Sequence, residues 1–311
     1  MKLIFMGTPD FAVPTLKALN EAGHQIAGVF TQPDKAVGRK QIITPPPVKR
    51  CAIELGIDVY QPNTLKDDEV QKIVEEIAPD AIVVVAYGKL LPERMLNVPK
   101  YGCINGHASL LPRHRGASPI QWSIVSGDTK TGVTTMLMEK GLDTGDMLLS
   151  SETPIADDET AESLHDRLSL ICAELMVKTL TKIENDEIVP IKQDDALSTY
   201  APIINKEMGY LTFEKNADEI CCLIRGFNPW PAAYFHIDGK RMKVYSAVKA
   251  QNTDAAPSTV ISADQKLVIA CGGGTSVSLC ELQPDGSKRM SAEDYLKGHS
   301  VRVGTVLNKD E

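Results

Sequence analysis

The sequence predicts an α/β protein in two parts, and three observations carry that reading. Short apolar runs rich in β-branched residues alternate with helical patterns through the first half, the signature of a mostly parallel sheet with helices on both faces. Residues 190–209 lose both periodicities and turn polar, as an interdomain linker does. Beyond residue 210 come one helical pattern and then short strands with turn residues at close spacing, which read as a small antiparallel β-barrel of OB-like kind. The expected organisation is a Rossmann-like sheet domain over 1–189, a linker over 190–209 and a barrel domain over 210–311.

The strands expected in the first domain are KLIFM (2–6), QIAGVF (25–30), AIVVVAY (81–87), GCINGH (102–107) and GVTTMLM (132–138). Helical spacing places helices at 11–22, 48–55, 67–77 and 119–126. A longer one at 159–185 starts near the cap candidates Asp158 and Thr160. It lines up Leu164, Leu168, Ile171, Leu175 and Leu180 on one face. After the linker a helix is expected at 216–225. The strands AAYFHI, KRMKVYSAV, STVISA, KLVIAC and SVSLCEL follow, broken by Asp238-Gly239, Ala263-Asp264 and three glycines at 272–274.

Composition narrows the function classes. Apolar residues at 43% and charged residues at 24% are ordinary for a soluble globular chain. Met1 leads straight into KLIFMGTP with no secretory pattern, and no apolar run approaches the ~20 residues that span a bilayer. A cytoplasmic protein without a membrane partner is expected. Seven scattered cysteines without a C-x-x-C speak against disulfide, zinc and iron–sulfur frameworks, so no metal is expected. Cys103 sits in an apolar run and reads as core rather than nucleophile. No association segment stands out, and a monomer is expected.

Net charge is −8, which argues against a nucleic-acid partner until its distribution is considered. Residues 210–311 are neutral, with 12 basic and 12 acidic side chains. Residues 31–50 carry Lys35, Arg39, Lys40, Lys49 and Arg50 against Asp34 alone. An acidic protein can still offer such a local phosphate-binding patch.

Three segments are candidates for chemistry. Gly7-Thr8-Pro9-Asp10 turns from the first strand into a helix, but it is no G-x-G-x-x-G fingerprint and argues only weakly for a dinucleotide. GCINGHASLLPRHRG (102–116) brings Asn105 and His107 to the expected carboxyl end of a strand, on one side of it. An amide beside an imidazole suits the oxyanion of an acyl-transfer intermediate; the alternative is a pair that merely holds loop backbone. Arg115 can bind a carboxylate or phosphate. GLDTGD (141–146) reads first as a turn, and functionally as the source of an aspartate that pairs with His107 and fixes its tautomer. Spacing leaves Asp143 and Asp146 equal. His24, His165, His236 and His299 lie apart from these segments and read as structural.

MGTPDFA at the start, N-x-H-x-SLLP-x-x-RG in the middle and LDTGD beyond it together resemble the folate-dependent formyltransferase family. The resemblance runs along essentially the whole chain. TQPDKAVGRKQIITPPPVK (31–49), GASPIQWSI (116–124) and GFNPWPAAY (226–234) are similar to the members acting on initiator methionyl-tRNA. The resemblance implies formyl transfer from 10-formyltetrahydrofolate, a co-substrate, to the free α-amine of that tRNA's methionyl group for translation initiation. It assigns catalysis to Asn105, His107 and Asp143, and the folate site to Ser109, Leu110, Leu111 and Pro112. It gives the basic loop at 32–49 the tRNA acceptor end, with Arg39 as key arginine beside Lys35 and Lys40, and the barrel a supporting role.

Gly106 departs from the pattern, because the family has an apolar, often β-branched residue there. A strand glycine is expected to loosen the backbone at a cost of about 0.5–1 kcal/mol. Formyl transfer to a sugar-nucleotide amine or to glycinamide ribonucleotide is the nearest rival, but small acceptors need neither the basic loop nor a second domain. A non-catalytic RNA- or nucleotide-binding module has no need of Asn105, His107 and Asp143 together.

Overall fold

Apolar periodicity sets the chain trace from its first residues. Strand β1 (Lys2–Gly7), buried from Leu3 onward, runs through a 3₁₀ turn into α1 (Val13–Glu21) and β2 (Gln25–Phe30). A short hairpin, β3 (Lys35–Val37) and β4 (Ile42–Thr44), precedes α2 (Pro47–Glu54) and β5 (Val59–Tyr60). Then come α3 (Asp68–Ile77), capped by the Asp67 side chain, β6 (Ala81–Val85), α4 (Glu93–Leu96) and β7 (Cys103–His107). The trace continues through β8 (Arg115–Gly116), α5 (Pro119–Val125), β9 (Lys130–Leu137), β10 (Met147–Pro154), α6 (Ala161–Glu184) and β11 (Tyr200–Ala201). These assignments come from a computed structural model that describes residues 1–38 and 40–308.

The chain divides into two compact units. The first comprises Met1–Pro119, Thr131–Thr153 and His165–Ala201. Its sheet has the order β10-β9-β7-β6-β1-β2-β5. The pairs β1–β2, β1–β6, β2–β5 and β6–β7 are parallel, and β7–β9 is antiparallel. Strand order therefore reverses at β1, with β2 and β5 on one side and β6 and β7 on the other. Ligands of open α/β sheets bind beyond the carboxyl ends of strands at such a reversal. Here Thr8 Oγ1 and Gln32 Nε2 both donate to the Tyr87 carbonyl, at 3.0 and 3.1 Å.

The second unit comprises Ile120–Lys130, Pro154–Leu164 and the chain from Pro202 onward. Helix α7 (Ala217–Gly226) opens on a capping box between Asn216 and Glu219. Strands β12 (Ala233–Ile237), β13 (Lys240–Lys249), β14 (Val260–Ala263), β15 (Leu267–Cys271), β16 (Thr275–Pro284) and β17 (Met290–Ser291) follow, with α8 (Ala292–Gly298) after them. The sheet, ordered β12-β13-β16-β15-β14 with β17 on β16, is antiparallel, a half-barrel with β12 and β14 at its ends. Phe213, Phe235, Val244 and Leu279 pack with Ile220 and Ile224 of α7 in its core.

The stretch expected as a linker, 190–209, is divided between the units: residues up to Ala201 belong to the first and those from Pro202 to the second. Its first part is structured, with Ile191 bridged to Met147 and β11 paired to β8. Among the described residues no helix is long and apolar enough to cross a membrane.

Candidate active site

Strand β7 presents Asn105 and His107 on one face and Gly106 on the other. The Gly106 face is closed by α6. A Cβ there would stand 2.6 Å from Cys172 Sγ, 3.3 Å from Met176 Cε and 3.4 Å from Val85 Cγ2. Cys172 is completely buried, and burial pushes its thiol up to about 12. The glycine therefore marks a close helix–strand approach, not missing packing: the space a β-branched side chain would fill holds Cys172 and Met176.

His107 is buried with an oxygen facing each ring nitrogen. Nε2 lies 2.9 Å from the His114 carbonyl, a hydrogen bond, and Nδ1 lies 3.7 Å from Asp143 Oδ2, an ion-pair distance. Asp143 Oδ2 also accepts a hydrogen bond from the Gly116 amide at 2.8 Å. Of the two aspartates that spacing could not separate, Asp143 is thus the one beside His107. Asn105 is half-buried, and its amide makes no hydrogen bond among the described residues. The two candidate donors differ in readiness: the amide is uncommitted, while the imidazole must share or exchange the His114 carbonyl to meet another oxygen.

The strand leaves the sheet through Ser109, Leu110, Leu111 and Pro112. Ser109 N–H donates to the His107 carbonyl at 2.9 Å, and its hydroxyl to the Arg113 carbonyl at 2.7 Å. Thr134, opposite His107 on β9, donates to the Ser109 carbonyl at 2.7 Å and accepts from Leu111 N–H at 3.1 Å. Ser109 and Leu111 are buried; Leu110 and Pro112 keep more surface. Thr134→Val preserves shape but orphans a buried N–H, which costs about 1–3 kcal/mol. Its melting temperature should fall accordingly in thermal unfolding; an unchanged value would mean that this hydroxyl does not hold the loop.

Comparison with known proteins decides the family. The formyl transferase family profile matches residues 1–180, more than half of the chain, and the formyl transferase C-terminal domain matches residues 203–300. The chain belongs to the formyl transferase family. The methionyl-tRNA formyltransferase of Geotalea uraniireducens (strain Rf4) is 48% identical over 312 residues, covering 100% of this chain and 99% of the relative. That of Clostridium novyi (strain NT) is 49% identical over 310 residues, covering 99% and 100%. Among solved structures, an N-formyltransferase from Helicobacter canadensis in complex with folinic acid and dTDP-3-aminofucose superposes with a TM-score of 0.66 at 19% identity, covering 91% of this chain and 99% of that one. That distant likeness speaks for the fold alone.

Within this formyl transferase Lys35 stands on β3 and Lys40 in the turn before β4, so the segment expected as a basic loop carries a short hairpin. Lys35 and Lys40 are exposed; Arg39 lies outside the described residues. Lys49 is occupied, at 2.8 Å from Asp34, where its hydrogen bond and that of Gln61 hold the Asp34 carboxyl below its ordinary range. A cavity of about 350 Å³ lies between the turn at Thr8–Asp10 and the hairpin, with Lys35 and Arg50 in its wall. Cys103 is core, its thiol pushed up to about 12 by burial, as the apolar run indicated. Sequence reasoning missed the His114 carbonyl and Gln193, whose Nε2 donates to the Asp143 carbonyl at 2.9 Å. A backbone carbonyl leaves no mark in sequence, and Gln193 stood in a stretch read as linker.

Proposed function

We propose that this formyl transferase moves the formyl group of 10-formyltetrahydrofolate to the free α-amine of initiator methionyl-tRNA in the cytoplasm, acting as a monomer. The observation that carries the reading is near-half identity over the full length to proteins named methionyl-tRNA formyltransferase.

The donor set fits acyl transfer. As the amine adds to the formyl carbon, a C–N bond forms and the carbonyl oxygen gains charge. Asn105 donates its free amide N–H to that oxygen, and His107 joins it by releasing the His114 carbonyl. Asp143 holds the far side of the ring. It also assists, through water, the proton's passage from the attacking nitrogen to the folate nitrogen that leaves as the second C–N bond breaks. In this reading Ser109, Leu110, Leu111 and Pro112 line the folate site, Leu110 and Pro112 with their side chains. Arg39, Lys35 and Lys40 hold the acceptor end of the tRNA.

Two measurements test the proposal. Offered methionyl-tRNA and a sugar-nucleotide amine, the enzyme should formylate the first and leave the second; the reverse preference would overturn the acceptor assignment. Lys35→Ala and Lys40→Ala should weaken tRNA binding while maximal turnover survives. Each should lower the slope of log affinity against log salt by about 0.7–0.9, the counterions released per phosphate contact. An unchanged slope removes those lysines from the interface.

A further inference from the structure

Asp143 stands in a left-handed backbone conformation, φ 53°, a region uncommon outside glycine that aspartate enters more readily than most residues. Gln193 ties down the turn around it. Its Nε2 donates one hydrogen bond to the Asp143 carbonyl at 2.9 Å and another to the Gly145 carbonyl at 2.7 Å. Its Oε1 accepts from Arg115 Nε at 3.0 Å and from Arg115 Nη2 at 2.8 Å. Arg115 is itself tied by Nη2 to Asp195, 2.8 Å away. Gln193 is buried, and these four contacts use both its N–H bonds and both lone pairs of its oxygen. No other side chain fits the set. Glutamate lacks the donors, lysine and arginine lack the acceptor, and asparagine is one carbon short.

We infer that Gln193 is a positioning residue for formyl transfer, locking the 143–145 loop so that the Asp143 carboxylate faces His107. This rests on the function proposed above. Arg115 precedes Gly116, whose amide binds the same carboxylate, so the two loops that deliver Asp143 are joined through one buried amide. The glutamine touches no reacting atom and acts only through Asp143.

A double-mutant cycle on the full chain tests the inference. Gln193→Ala should lower kcat for formylation of methionyl-tRNA by about 10- to 100-fold, the scale of a misplaced catalytic group, with KM for tRNA within about twofold. In an Asp143→Ala background the same change should cost less than about twofold, because residues acting through one another are non-additive. Gln193→Glu keeps the volume and the bond to Arg115 but not the two donors. It should be as slow as Gln193→Ala, and it carries the comparison should the alanine variant not fold. Equal losses in both backgrounds, or full activity in Gln193→Glu, would overturn the role. Wild-type transfer to methionyl-tRNA is the control: its absence would defeat the proposed function, whereas additivity in a working enzyme defeats only the role of Gln193.

Discussion

Asn105→Ala is expected to lower kcat for formyl transfer by about 10²–10³, some 2.7–4 kcal/mol of transition-state stabilisation, the usual worth of one oxyanion donor. Stability should hardly change, because the Asn105 amide makes no hydrogen bond among the described residues and its truncation orphans no partner. His107→Ala should lose at least as much turnover for a different structural reason. It removes a buried ring that contacts the His114 carbonyl and Asp143, so its melting temperature should fall as well. The contrast discriminates: large losses of turnover in both variants, with a stability loss in only one, fit an uncommitted amide beside an anchored imidazole. Near-normal turnover in Asn105→Ala would remove the amide from the chemistry.

Gly106→Val should damage both stability and activity, although valine is the kind of residue the family pattern prefers at this place. Its Cβ would stand 2.6 Å from the sulfur of a completely buried Cys172. Overpacking of this kind costs about 1–3 kcal/mol, and more where the neighbour cannot move. Relief comes only by moving β7 off α6. That displaces Asn105 and His107 on either side, and a shift of about 1 Å can cost 10²-fold in rate. Cys172→Ala in the same chain removes the clashing sulfur and should restore most of the stability and the activity together. Denaturant unfolding and turnover on the single and double variants check both halves. A Gly106→Val enzyme as stable and active as its parent would show that α6 does not constrain the strand.

The same glycine shows where sequence reading stops. β7, β2 and β6 were legible within two residues because their apolar runs are bounded by turn residues, and the long helix α6 because leucines recur at helical spacing. The space beside Gly106 is filled by Cys172 and Met176, distant in sequence, so the glycine read as lost packing. The β3–β4 hairpin read as a basic loop, because three-residue strands carry too few side chains to show an alternation. Gln193 was hidden for a deeper reason: its stretch is held by hydrogen bonds rather than by apolar burial, and polar stretches look alike whether they wander or bind. In the candidate site, chemistry and position singled out Asn105 and His107. Asp143 and Asp146 were separated only by resemblance, and the structure sets Asp143 Oδ2 3.7 Å from His107 Nδ1.

The most direct test is to supply 10-formyltetrahydrofolate labelled in its formyl group together with methionyl-tRNA, and to follow label into the aminoacylated tRNA. Wild type should yield formylmethionyl-tRNA, Asn105→Ala and His107→Ala only a trace, and free methionine should acquire no label. Label released as free formate with none on the tRNA, or transfer undiminished in both variants, would contradict the account.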